Sequence, residues 1–186
     1  MVVDGKEEKL ARALSAQSRR TILRLLGNKQ LTVSQIAKTT EFSLSLASRH
    51  LTLLADLGLI TTQKKHPHKF YSLRIPIITA LLQDYEKIHH HYSFKVSQRG
   101  EENLARVINA EQRRKVLRLL SEKELTVTEL AQLTSMSISL ASRHLKLAHD
   151  LGFLSVRTTA PRKYYSLTLA PLKQLITNYD LVLKEL

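Results

Sequence analysis

Three features of the sequence predict a mainly helical chain with small β wings, organised as two tandem copies of one small domain. The second half answers the first at a constant offset of 94 residues, without a gap from Glu7 to Leu73 and with about half of the positions identical. Within each copy, apolar residues recur at helical spacing and then give way to two short β-prone runs around a basic, Pro-containing turn. The basic excess is shared. Residues 1–92 carry 14 Lys and Arg against 7 Asp and Glu, and residues 93–186 carry 15 against 9, for a net charge of +13.

These quantities exclude several classes of function. A chain of 186 residues holds one ordinary domain or two small ones, and 43% hydrophobic content suffices for a core. With no cysteine there is no disulfide, thiolate metal site or thiol switch. No stretch approaches the ~20 apolar residues of a membrane span. The start, Met1-Val2-Val3-Asp4-Gly5-Lys6, lacks the apolar core of a signal peptide. No membrane partner is therefore expected, and the expected location is cytoplasmic, at the nucleoid. Gly-rich phosphate loops and nucleophile-elbow patterns are missing, so no enzyme activity is expected. A basic, foldable chain meets a polyanion, and nucleic acid comes before an anionic membrane surface.

Residues about 7–16 read as a first helix with Leu10, Ala13 and Leu14 inward. Residues about 18–27 form a second, with Ile22, Leu23, Leu25 and Leu26 inward, Arg19, Arg20 and Arg24 outward, and Gly27-Asn28 as its stop. Thr32 opens a third helix through a Thr-x-x-Gln capping box with Gln35, answered by Thr126 and Glu129. A turn over 38–42 leads to Ser43, the N-cap of a fourth helix. There Ala47, Leu51 and Leu54 recur at i, i+4 and i+7, and Gly58 ends the segment. Leu59–Thr62 and Phe70–Leu73 read as strands about a charged turn, Lys64–Lys69. A fifth helix lies near 76–91, and the second copy closes likewise from Pro171 to Leu186. The domains are then 1–92 and 101–186, with residues 93–100 as a polar linker.

Helices followed by a two-stranded wing make a winged helix-turn-helix. Each copy resembles the ArsR/SmtB-like family of winged helix-turn-helix regulators. In the first copy the resemblance rests on Ser18–Leu26, Ser48-Arg49-His50-Leu51 with Leu54, Leu57-Gly58-Leu59-Ile60 and Tyr71-Ser72-Leu73. In the second it rests on Gln112–Leu120, Ser142-Arg143-His144-Leu145, Leu151-Gly152-Phe153-Leu154 and Tyr165-Ser166-Leu167. Members pair two chains through their first and last helices, so the resemblance implies an intramolecular pseudo-dimer of the two winged domains. Such a chain is a monomer, or a homodimer through its apolar terminal helices. The helices near 7–16, 76–91, 101–110 and 171–186 would bury Leu10, Leu14, Leu81, Leu104, Ile108 and Leu175.

Candidate DNA-binding residues cluster in two places per copy. Ser43, Ser45, Ser48 and Arg49, with Ser137, Ser139, Ser142, Arg143 and Lys146, stud the start of the fourth helix. Arginine grips guanine bidentately, and serine hydroxyls reach phosphate or a base edge. Lys64, Lys65, His66, His68 and Lys69, answered by Arg157, Thr158, Arg162 and Lys163, give each wing a cationic edge for the phosphate backbone or minor groove. His50 and His144 either bond a phosphate, as the resemblance favours, or pin the helix. Leu44, Leu46, Ile138 and Leu140 are expected to pack against the third helix, with contact to thymine methyl groups as the alternative. His89-His90-His91 does not read as a metal site: such neighbours do not face one another on a helix, and the second copy has no such cluster. No metal and no cofactor are expected.

The function expected is double-stranded DNA binding by a transcriptional repressor, with two recognition helices in successive major grooves. The alternatives are an abundant architectural, chromatin-type protein of low specificity and, behind it, a protein-interaction module of the transcription apparatus.

Overall fold

The computed structural model describes residues 5–93, 104 and 106–186. Apart from Ser93 the expected linker lies outside them, as do parts of the expected helix 101–110. In the first copy the elements are α1 (Gly5–Leu14), α2 (Gln17–Leu26), β1 (Leu31–Thr32), α3 (Val33–Thr40), α4 (Leu44–Asp56), β2 (Ile60–Lys65), β3 (His68–Leu73) and α5 (Ile78–Ser93). In the second, residues 106–108 are helical. They are followed by α6 (Glu111–Leu120), α7 (Val127–Thr134), α8 (Ile138–Asp150), β4 (Leu154–Thr159), β5 (Arg162–Leu167) and α9 (Ala170–Glu185). Each copy is a winged helix-turn-helix.

The local chemistry explains the boundaries. Both capping boxes form: Thr32 accepts from the Gln35 backbone while the Gln35 side chain bonds back, and Thr126 and Glu129 do the same. The expected turn over 38–42 shrinks, because α3 continues through Thr40 and Glu41 then takes a left-handed conformation at φ 59. Ser135 repeats this at φ 57. The fourth helix of each copy ends in a Schellman motif. Gly58 N–H donates to Ala55 O at 2.9 Å and Leu59 N–H to Leu54 O at 3.0 Å; Gly152 and Phe153 donate to His149 and Ala148 at 2.8 and 2.9 Å. Gly58 and Gly152 have φ 78 and 81, which a side chain would resist. The bond pair drives Leu59 and Phe153 into the core, fully covered, and aims the chain into the wing.

The wings are longer than expected. Lys64 and Lys65 belong to β2, His68 and Lys69 to β3, and only His66-Pro67 turns between them. A second addition is β1, which joins the first wing as a third strand through Leu31↔Tyr71 and Thr32↔Phe70. In the second copy this reduces to one bridge, Leu125↔Tyr165. Two residues cannot announce a strand by periodicity, so sequence reading passes over them.

The core holds Ile22, Leu23, Leu26, Ile36, Ala47, Leu51, Leu54 and their counterparts, whereas Leu25 is half-buried. Leu10, Leu14, Leu81, Leu104, Ile108 and Leu175 are all buried. The arginines of α2 correct the expectation. Arg20 is 1% exposed and donates Nη1–H to Leu14 O, and Arg19 donates to Arg12 O at 2.7 Å and Ala13 O at 3.2 Å. The last carbonyls of a helix have no partners of their own, and a cation suits that end of its dipole. Arg114, also 1% exposed, donates to Ile108 O at 2.7 Å. An arginine that reads as solvent-facing by periodicity is thus a buried clamp on the preceding helix.

By compactness the chain divides into Met1–Gln83 with Asn178–Leu186, and Asp84–Thr177. The first unit therefore includes the end of α9: Lys6 Nζ donates to Leu183 O at 3.5 Å and Arg74 Nη2 to Glu185 O at 3.1 Å.

Candidate nucleic-acid interface

The fourth helix of each copy is fixed first by its cap. Ser43 Oγ accepts from Leu46 N–H at 3.1 Å, and Ser137 Oγ from Leu140 N–H at 3.2 Å. Ala47 and Leu51 of α4, and Ala141 and Leu145 of α8, then face the core with no exposure. That orientation leaves Ser43, Ser45, Ser48 and Arg49, and likewise Ser137, Ser139, Ser142, Arg143 and Lys146, exposed on the other side. Ser45, Ser48 and Arg49 border one shallow groove with Thr52 and Asp56. Neither helix has an acidic residue in its first turn.

Leu44 and Ile138 correct the expectation of packing on the third helix: they are 57% and 58% exposed. The inward stripe begins only at Ala47 and Ala141, so the first helical residue has no core beneath it. Leu46 and Leu140 are half-buried.

His50 and His144 are half-buried. His50 Nε2 shares a hydrogen bond of 3.0 Å with Ser18 Oγ, which ties α4 to α2. Gln112 replaces that serine in the second copy, and His144 Nε2 is enclosed without a hydrogen-bond partner. Burial first, then the nearby Arg19 and Arg49, pushes His50 below its ordinary value of 6.5. Burial, with Arg113 and Arg143, does the same to His144.

The wings present Lys64, Lys65, His68 and Lys69, and Arg157, Arg162 and Lys163, all exposed. They are not equivalent. In the first wing Lys64 stands directly across from Lys69, a like-charge pair that weakens a hairpin unless an anion joins it. Lys65 and Lys69 lie over Phe70 and Tyr71, with Nζ 5.8 and 5.3 Å from the ring centroids. In the second wing Arg157 is already engaged: Nη2 is 2.7 Å from Glu124 Oε2, and the guanidinium lies 4.8 Å from the Tyr164 ring. Arg162 and Lys163 line a cleft with Thr126 and Glu129 at the start of α7. The first copy has neutral Gln30 and Gln35 where the second has Glu124 and Glu129.

Among the described residues no three His, Asp or Glu side chains gather as metal ligands, and no helix is long and apolar enough to cross a membrane. The side chains of His89 and His91 lie outside the described set.

The chain is similar to known proteins. The sequence model described as "Bacterial regulatory protein, arsR family" matches residues 16–62 and 110–156, from α2 into β2 and from α6 into β4, which together make half of the chain. Among solved structures the chain is similar to reduced HlyU from Vibrio cholerae N16961, at 31% identity, 47% coverage of this chain, 90% of that chain and a TM-score of 0.40. It is also similar to the transcriptional repressor BigR from Xylella fastidiosa, at 24% identity, 51% and 88% coverage and a TM-score of 0.40. Curated protein sequences give no match.

Proposed function

The chain belongs to the arsR family of bacterial regulatory proteins, DNA-binding regulators of transcription, and from that premise we propose that it is a repressor whose two winged domains each take one half-site of double-stranded DNA. The carrying observation is the duplicated helix face: Ser45, Ser48 and Arg49, and Ser139, Ser142 and Arg143, stand exposed opposite a closed core. Arg49 and Arg143 grip bases or phosphates, and Ser43, Ser45, Ser48, Ser137, Ser139, Ser142 and Lys146 align the backbone. The wing cations neutralise flanking phosphates. His50 acts chiefly by holding its helix in place through Ser18.

In this reading the tandem copies replace the two subunits of a dimeric regulator as an intramolecular pseudo-dimer, and half-sites about 34 Å apart, one helical turn, are expected. The halves differ at Thr52 and Lys146, so the preferred site is an imperfect palindrome. Occupying it blocks a promoter. The double variant Arg49→Ala, Arg143→Ala tests this by gel shift. Affinity should fall at least tenfold, since each bidentate contact contributes about 1–3 kcal/mol, with the melting curve unchanged. Unaltered affinity would remove the recognition helices from the function.

A second reading, DNA coating at low specificity, is favoured by the net charge and by the exposed aliphatic residue, Leu44 or Ile138, at each helix start. A promoter-to-random affinity ratio below about tenfold would select coating, and one near 10³ or more would select regulation.

A further inference from the structure

We propose that Leu44 and Ile138 read thymine C5-methyl groups in the major groove, so that each recognition helix selects its half-site by apolar contact beside its arginine. The inference rests on the DNA-binding reading above. Four large apolar residues stand exposed among the described residues: Leu44, Leu133, Ile138 and Leu181. Leu133 answers Thr39 in the other copy, and Leu181 lies beyond the gap-free repeat. Only Leu44 and Ile138 recur at one register, at 57% and 58% exposure.

A single bare leucine is ordinary on a protein surface. An aliphatic side chain left bare one residue past the cap in both copies is a shared feature that the core does not require. The thymine methyl is the apolar group that the major groove displays. The cap bonds, 3.1 and 3.2 Å, hold the first turn that carries each aliphatic residue. Exposed serines flank each of them in sequence, Ser43 and Ser45 or Ser137 and Ser139. Arg49 and Arg143 on the same helices, with no acidic residue in either first turn, complement the phosphates around such a base.

The test uses the full chain. Duplexes are selected from a randomised pool and rebuilt with deoxyuridine at single thymines, which removes the methyl and nothing else. One such replacement in either half-site should weaken binding about fourfold, the equivalent of one buried methylene. Leu44→Ala should bind the thymine and uracil versions of one half-site equally while still discriminating at the other, and Ile138→Ala should do the converse. Both variants should melt as the parent does. Equal binding of thymine and uracil duplexes by the parent chain overturns the proposal, as does full discrimination by the double variant. A chain that binds the pool but ignores the methyl loses only this inference. One that binds no duplex loses the DNA-binding reading with it.

Discussion

At the scale of single residues, the histidines of the two fourth helices are held unequally. His50 is bonded to Ser18 at 3.0 Å, and both His50 and His144 are kept toward the neutral form by burial and by arginines. A depressed histidine pKa means that the unfolded chain binds protons which the folded chain refuses. The stability conferred by the neutral rings is therefore present above about pH 6.5 and is lost as pH falls through the lowered folded value. Thermal melts should show a midpoint that drops between roughly pH 7 and pH 5, and the double variant His50→Gln, His144→Gln should flatten that part of the curve. An unchanged slope would show that other groups carry the acid sensitivity. The same burial explains why sequence alone left their role open: a histidine beside an arginine on a polar helix face reads equally as ligand or pin until its ring is seen to turn inward.

At the scale of elements, the clamp on α1 and the contrast between the wings lead to separate expectations. Arg20 holds the Leu14 carbonyl from a buried position. Arg20→Met keeps the apolar stem but removes the charged donor, and should cost about 2–3 kcal/mol in a urea titration. Arg114→Met should act similarly on the second copy through Ile108. A cost under about 0.5 kcal/mol, the lower edge for an ordinary hydrogen bond, would make the clamp incidental. The wings should differ in DNA binding. Lys64, Lys65 and Lys69 are unopposed by an acidic neighbour in their hairpin, whereas Arg157 is bound to Glu124. Replacing the three lysines with alanine should lower the salt slope of log Kobs by about 0.9 for each phosphate no longer neutralised. Glu124→Gln, which releases Arg157, should tighten binding and leave thermal stability nearly unchanged. Equal salt slopes for the lysine variant and the parent chain would remove the first wing from the interface.

At the scale of the whole molecule, the repeat and the compact units divide the chain differently. The repeat separates 1–92 from 101–186, while compactness joins Asn178–Leu186 to Met1–Gln83 and gives Asp84–Thr177 to the other unit. Tyr179 and Val182 are fully buried, and the Leu183 and Glu185 carbonyls accept from Lys6 and Arg74. Deleting Asn178–Leu186 should therefore loosen the first copy, by roughly 3–5 kcal/mol from the two buried side chains alone. Hydrogen exchange should show protection falling across α1 to α4 more than across α6 to α8. A fall confined to the second copy would contradict the division.

The sequence by itself determined the family, the duplication, the helix caps and the polar face of the fourth helix in each copy. These are written in local patterns: capping boxes, the Leu-Gly stop, a stripe at helical spacing, a recurring Ser-Arg-His-Leu block. Tertiary structure decided which side of that pattern meets the core. It turned Arg20 and Arg114 inward, because a neighbouring helix ends where their guanidinium groups reach. It left Leu44 and Ile138 bare, because each precedes the first residue with a core beneath it. It tied Arg157 to a glutamate 33 positions away. It gave the last residues of the chain to the first unit. Periodicity reports how a helix repeats along its own axis; burial and charge pairing depend on what another segment brings to it, and no local pattern encodes that.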